Sequence, residues 1–286
     1  MKAPNRIILV KLDMRIILLL TFFLSFSMIA AWLDKLERDY YGTKPGVTLN
    51  GQDMSRLLLT EVQSVVEEMA VRYQKLPVEP TLKKDTGEIL PGREGYVINV
   101  EDTAKRVISA AEGTNVTLVL NRIKPRHSTK DLKFASTSLG SYATSFQGSS
   151  ERYSNIKLAV RSINNTVIWP GELFSFNEVV GPRTPERGYL PAPIILLGSS
   201  SIDYGGGVCQ VSSTLFNAAA NAGIKIVERH GHSKPVGYVP EGRDATVSYD
   251  DLDLKLSNNQ YGPVIIKAGV SSGNIWVEIK GGGGKE

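Results

Sequence analysis

The alternation of apolar and polar positions divides the chain into three textures. Residues 16–33 read IILLLTFFLSFSMIAAWL, eighteen positions without a charge. That is near the lower end of the ~17–25 residues a helix needs to cross a bilayer. After a Gly-, Pro- and Thr-bearing stretch at 40–50, Val47-Thr48-Leu49 predicts a short strand. Val62, Val65, Val66, Met69, Ala70, Tyr73 and Leu76 then recur at helical spacing behind a capping-box pattern, Thr60-x-x-Gln63. Pro77 and Pro80 stop that helix. A second helix is expected over 103–111 with Gly113 as its left-handed cap. Val116, Leu118 and Leu120, alternating with Thr117 and Val119, predict a half-buried strand. The third texture follows Pro125, Ser128 and Thr129. It holds β-rich runs at 193–197, 224–227, 245–249, 264–268 and 275–279, interrupted by helices at about 154–164 and 211–222. Ile156, Ala159, Val160 and Ile163 share one face of the first of these helices. The fold class expected is α+β: a transmembrane helix, a small α+β domain, then a β-rich α+β domain.

Charge changes this picture only at the start. The net charge is +4, but Lys2, Arg6, Lys11 and Arg15 against Asp13 place +3 of it before residue 34. The remainder is nearly balanced and has no basic run, so nucleic-acid binding has no electrostatic footprint. Basic residues before the apolar run and a balanced Asp34-Lys35-Leu36-Glu37-Arg38-Asp39 after it predict a single-pass anchor with the later domains outside. A cleaved signal competes. Its small-x-small exits are poor, because Ser25-Phe26-Ser27 lies inside the apolar run and Ala31 lacks a small residue two positions earlier. Export makes the single cysteine, Cys209, informative. It has no partner for a disulfide, so it is either an intermolecular bridge or a reactive thiol.

The stretch GGGVCQVSSTLFNAA, residues 205–219, is the one that carries chemistry. Three glycines permit a tight, close-approach turn immediately before the thiol. Ser212 and Ser213 read as helix caps before an apolar helical run, which puts Cys209 at or just before a helix N-terminus. There the free N–H groups and the helix dipole stabilise a thiolate and a developing oxyanion. The bland alternative is a small buried hydrophobe. Of three histidines, His127 falls in the boundary segment and reads as a surface residue. His230 and His232 follow a strand, whose alternation would put both rings on one side. With Cys209 they form either a nucleophile with its base or three ligands of an open zinc site. Arg229 beside them and the glycine turn fit carbonyl attack better than a cation cage. Tyr238 and Asp244 are candidates to orient an imidazole.

These residues have a family. Phe174-Ser175-Phe176-Asn177, Gly181-Pro182-Arg183-Thr184, Arg187-Gly188-Tyr189, the cysteine stretch, ERHGHSKPVGYVP (228–240) and GRDATV (242–247) closely resemble the VanW domain over residues 141–281. That domain was named from vancomycin-resistance clusters of Gram-positive bacteria. Residues 47–122 are more weakly similar to the peptidoglycan-binding domain that often precedes it. The layout expected is an anchor (1–40), a peptidoglycan-binding domain (41–123), a linker (124–140), the VanW domain (141–281) and a flexible tail (282–286).

Some VanW domains are L,D-transpeptidases that join peptidoglycan stem peptides between third residues. The resemblance implies Cys209 as nucleophile and His232 as proton shuttle, with His230 as its substitute. Gln210 and the backbone near Gly207 would hold the oxyanion, Ser212 would lie beside it, and Arg183 and Arg229 would meet carboxylates of the stem. No cofactor is expected. The partners expected are stem peptides and the cytoplasmic membrane. The rival reading is a non-catalytic wall-binding or scaffold protein in which Cys209 is structural.

Overall fold

The computed structural model describes residues 14–196 and 199–282. Lys2, Arg6, Lys11 and Asp13 of the basic flank, and residues 283–286 of the tail, lie outside the described residues. The chain forms two compact units, one of residues up to 77 with 94–123, the other of 78–93 with 124 onward.

In the first unit, α1 (Met14–Tyr41) runs beyond the uncharged stretch. Its portion Ile17–Tyr41 is 25 residues, unburied, and long and apolar enough to cross a membrane. Strands β1 (Thr48–Leu49) and β2 (Gln52–Asp53) pair antiparallel before α2 (Leu59–Tyr73). The cap of α2 is not the Thr60 pattern but the Glu61 carboxylate, which accepts the Leu58 N–H at 2.9 Å. Arg38 of α1 grips the same carboxylate at 2.6 and 2.9 Å. The chain then leaves for β3 (Thr81–Leu82) and β4 (Ile89–Leu90), a hairpin belonging to the second unit. It returns with β5 (Gly95–Ile98) and α3 (Val100–Ser109), capped by Asn99, whose side chain accepts the Asp102 N–H at 3.0 Å. Val62, Val66 and Met69 of α2 and Ala104 and Val107 of α3 bury their apolar stripes against Val47, Leu49 and Ile98. Each of these side chains larger than alanine contributes about 1.5–3 kcal/mol.

The single strand expected at 116–120 is two. β6 (Asn115–Val116) runs parallel to β1, while β7 (Leu120–Ile123) pairs with β5. Between them Val119 donates its N–H to the Thr103 hydroxyl at 3.0 Å. The chain therefore changes sheets where the alternation read as continuous.

The second unit also departs from the sequence reading at its start. Residues expected as a linker hold α4 (Thr129–Phe134), and the polar residues taken as boundary signals cap it: Ser128 accepts the Lys130 N–H at 3.1 Å, and Asp131 accepts the Ser128 N–H at 3.1 Å. β8 (Thr137–Ser145), α5 (Ser150–Ile163), β9 (Thr166–Ile168), β10 (Leu173–Ser175) and α6 (Phe176–Val180) follow. Next come β11 (Pro191–Leu196), β12 (Ser199–Tyr204), α7 (Val208–Asn221) and β13 (Lys225–Glu228). β14 (Lys255–Ser257), β15 (Val264–Ser271) and β16 (Asn274–Gly281) complete the unit.

The main sheet runs β8-β16-β15-β9, all antiparallel. Its period of two decides both faces. Val264, Ile266 and Ala268 of β15 join Ile156, Ala159 and Ile163 of α5 and Val211, Leu215 and Ala218 of α7. Ile265, between them, packs instead with Leu82, Leu132 and Trp169. His127, expected on the surface, stacks on Trp169 with ring centroids 4.2 Å apart and bonds Glu79 at 3.1 Å. The run at 245–249 is not a strand; it makes only isolated bridges, Thr246 to His230 and Ser248 to Leu252.

Candidate active site

The glycine run turns the chain into α7 with no room for side chains. Gly205 and Gly207 have φ of +85° and +107°, a region open to glycine and costly for other residues. A Cβ on Gly206 would stand 2.7 Å from the Pro193 carbonyl oxygen, and one on Gly207 2.8 Å from Ile156 Cγ1. Gly207 is the N-cap, so α7 begins three residues earlier than expected and Cys209 lies in its first turn. Helix starts leave N–H groups without an intrahelical acceptor, but here Val208 and Gln210 already donate theirs to the Gly205 and Gly207 carbonyl oxygens at 3.0 and 3.1 Å. Ser212 and Ser213 therefore do not cap. Ser212 is fully buried and donates to the Cys209 and Ala245 carbonyl oxygens at 3.0 and 2.6 Å, while Ser213 donates to Cys209 O at 2.7 Å. Both tie the helix to the 245 segment, and neither is available to a substrate.

That segment faces the thiol. Thr246 Oγ1 is 3.7 Å and the Val247 carbonyl oxygen 3.5 Å from Cys209 Sγ, and the His232 ring lies within hydrogen-bonding reach. His232 Nδ1 bonds Asp244 Oδ2 at 2.6 Å, the same oxygen accepts the His232 backbone N–H, and Tyr238 Oη lies 3.4 Å from Nε2. Asp244 is itself braced by Arg229, which donates Nη2 to Oδ1 at 2.9 Å and Nε to the Asp244 carbonyl at 2.6 Å. Cys209, His232 and Asp244 thus form a chain of thiol, imidazole and carboxylate, with Tyr238 Oη beside Nε2.

The electrostatics follow from the packing. Burial, the largest influence on Cys209, pushes its thiol up, but hydrogen bonding with His232, the Val247 backbone and Thr246, together with the charge of His232, outweighs it and holds the thiol below its ordinary value. Burial likewise lowers His232, yet Cys209 and Asp244 together raise it. Burial raises Asp244, and the hydrogen bonds from His232 bring it below the usual carboxylate range. Both shifts run toward thiolate beside imidazolium, the reactive form of a cysteine nucleophile.

Several residues named from the sequence stand elsewhere. His230 does not share the site: its Nε2 bonds Glu228 at 2.9 Å, away from the Asp244 that holds His232. The strand geometry that would align the two rings ends at Glu228. Among the described residues no group of three or more His, Cys, Asp and Glu side chains is arranged to hold a metal. Gln210 is 1% exposed and spent on structure. It accepts from Arg152 Nη2 at 2.8 Å and donates to Thr144 Oγ1 and the Ser145 carbonyl at 3.1 and 2.8 Å, so its amide is not free for an oxyanion. Arg183 donates to Asn177 at 2.7 Å and lies over the rings of Phe176 and Tyr249. Its buried Nη1 has no hydrogen-bond partner, and the two ring faces take the place of one. Beside His232 opens a cleft of about 370 Å³ lined by Arg229, Lys234, Pro235, Glu241 and Asp244 among others.

Sequence reasoning missed Arg152 and the Thr246–Val247 wall. Arg152 was legible as an anomaly: it falls four residues before Ile156 on the apolar stripe of α5, where a charge needs a reason.

Residues 151–280, which contain Cys209, His232, Asp244, Arg229 and Arg152, match the family model described as VanW like protein. The chain belongs to the VanW-like family. It is 38% identical over 219 residues to uncharacterized protein YoaR of Bacillus subtilis, covering 75% of this chain and 72% of that protein. It is 34% identical over 110 residues to the vancomycin B-type resistance protein VanW of Enterococcus faecalis, covering 37% of this chain and 40% of that protein. No solved structure matches the chain.

Proposed function

We propose that this chain is a membrane-held enzyme of the cell wall, a cysteine L,D-transpeptidase that crosslinks the third residues of peptidoglycan stem peptides. The observation that carries the reading is the Cys209–His232–Asp244 chain at the first turn of α7. The resistance role named for the Enterococcus relative supports a cell-wall setting. In this reading α1 anchors the protein with both units outside, and the first unit positions it on the wall.

The Cys209 thiolate attacks the carbonyl of the third stem residue, and the oxyanion forms against the Cys209 backbone N–H in the first turn of α7. The C–N bond breaks as the His232 imidazolium gives its proton to the departing amine of the terminal D-alanine, leaving a thioester. The side-chain amine of a second stem then attacks that thioester and loses a proton to His232, and the thiolate departs. Water in place of the amine makes the same site a carboxypeptidase. Asp244 holds the Nδ1 proton and supports the imidazolium; Arg229 holds Asp244. These two are positioning residues.

Cys209→Ala tests the proposal. It removes D-alanine release and crosslinking from a tetrapeptide stem, and it shifts the melting temperature by only a few degrees because a half-buried thiol contributes little packing. Cys209→Ser is nearly as inactive, since a hydroxyl ionises far less readily. His232→Ala costs on the order of a hundredfold or more, His230→Ala much less. Wild-type protein trapped with substrate carries a stem-peptide adduct on Cys209 by mass spectrometry. Crosslinking by Cys209→Ala at the wild-type rate, with no adduct, would sink the proposal and leave a wall-binding protein.

A further inference from the structure

We propose that Arg152 selects the acyl donor of this site, binding the terminal carboxylate of a peptide whose last residue is the one expelled. The inference rests on the acyl-transfer reading above and adds what that reading lacks, the side chain that recognises the end of the donor.

Arg152 is built into its place. Its stem runs in a slot between two glycines: a Cβ on Gly148 would stand 2.8 Å from Arg152 Cδ, and one on Gly207 3.2 Å from Arg152 Cγ. Its Nη2 is fixed by Gln210 Oε1 at 2.8 Å, and the buried Gln210 is in turn fixed by Thr144 and Ser145. A relay of Ser145, Gln210 and Arg152 therefore holds a guanidinium still beside the turn that presents the thiol. A preset planar fork loses little entropy when it takes a carboxylate.

No carboxylate matches the charge of Arg152 among the described residues, and the groups that interact with it electrostatically are Tyr238 and Cys209. Burial lowers its affinity for its own proton, and Tyr238 and Cys209 only partly offset this. A half-buried guanidinium without a carboxylate partner gains when a carboxylate arrives.

The other two arginines near the site are occupied. Arg229 spends its donors on Asp244 and the Gly242 carbonyl, and Arg183 lies over two aromatic rings with its free nitrogen closed off from solvent. Arg152 is left with guanidinium N–H groups to offer.

The proposed reaction sets the spacing. In a donor that loses its last residue the terminal carboxylate lies about one residue, ~3.5 Å of chain, beyond the carbonyl that meets Cys209. Arg152, which interacts with Cys209, is the side chain assigned to that carboxylate. A donor with an amidated end would leave the guanidinium unpaired and is selected against.

The test uses the full chain in detergent with two probes: a tetrapeptide stem ending in D-alanine and the same peptide ending in D-alaninamide. Wild-type protein releases the terminal residue of the acid with kcat/KM on the order of ten- to a hundredfold above the amide. Arg152→Gln brings that ratio toward one, and Arg152→Lys keeps part of it. A merely structural role would lower both rates and leave the ratio where it was, which would overturn the inference, as would equal rates in the wild type. If wild-type protein releases neither residue, the acyl-transfer reading fails and binding decides Arg152 separately. Protection of Cys209 from iodoacetamide by the acid alone, lost in Arg152→Gln, supports the assignment; equal protection by both peptides, or none, overturns it.

Discussion

Asp244→Asn puts the thiol–imidazole–carboxylate chain at risk with almost no change of shape. In the native site one carboxylate oxygen accepts both the ring and the backbone N–H of His232, while the other accepts from Arg229. An asparagine that keeps its oxygen on Arg229 turns its NH2 group toward His232, so donors face donors. The ring must then flip its tautomer, leaving Nδ1 bare and Nε2 protonated, and Nε2 can no longer take a proton from the thiol. Of the two lost hydrogen bonds, the ring bond is the one that strengthens when the imidazole is charged. A bond to a charged group is worth about 1.5–3 kcal/mol. The side chains of His232 and Asp244 are only 8% and 13% exposed, so solvent screens little of it. At about 1.4 kcal/mol per tenfold, the thiolate population near neutral pH falls roughly ten- to a hundredfold. The assay is the rate of iodoacetamide alkylation of Cys209 as a function of pH. The variant should react that much more slowly at neutral pH and rejoin the wild type in alkaline solution, where the thiol ionises unaided. Equal rates at neutral pH would mean that Asp244 does not support the imidazolium, and the charge argument would fall.

Two further predictions concern the frame of the site. Gly207→Ala meets both a φ of +107° and Ile156 Cγ1 at 2.8 Å, a strain of roughly 1–3 kcal/mol before Ile156 moves; its melting temperature should drop by several degrees, whereas Gly237→Ala, with nothing near the added Cβ, should stay close to wild type. Glu228 is held at about 2, foremost by Lys255 and then by His230. A depressed folded value means stability present above the ordinary glutamate range and lost as pH falls through the folded one. Glu228→Gln should therefore melt lower than wild type at neutral pH, with the gap closing as pH is taken down toward about 2. A gap independent of pH would refute the ion pairing.

The sequence by itself determined what depends on neighbours along the chain. An uncharged apolar run declares a membrane-length helix. The stripe of Ile156, Ala159, Val160 and Ile163 declares a packed face, and three glycines before Cys209 declare a turn into a helix. The last was right in kind and late by three residues: serines after the thiol look like caps locally, but the turn itself supplies the N-cap at Gly207 and frees them to bond Ala245. What depends on distant residues was decided by the tertiary structure alone. The resemblance pointed to His232, but spacing alone did not separate it from His230; the structure does so through the carboxylate each ring finds, Asp244 or Glu228. The alternation at 116–120 is continuous in sequence, yet its strand changes sheets, because pairing is set by partners far along the chain. Gln210 and Arg152 lie 58 residues apart. Only the packing of α5 against α7 places an arginine of one helix and a glutamine of the other around the same thiol, because side-chain reach is a few ångströms and the fold alone decides which residues fall within it.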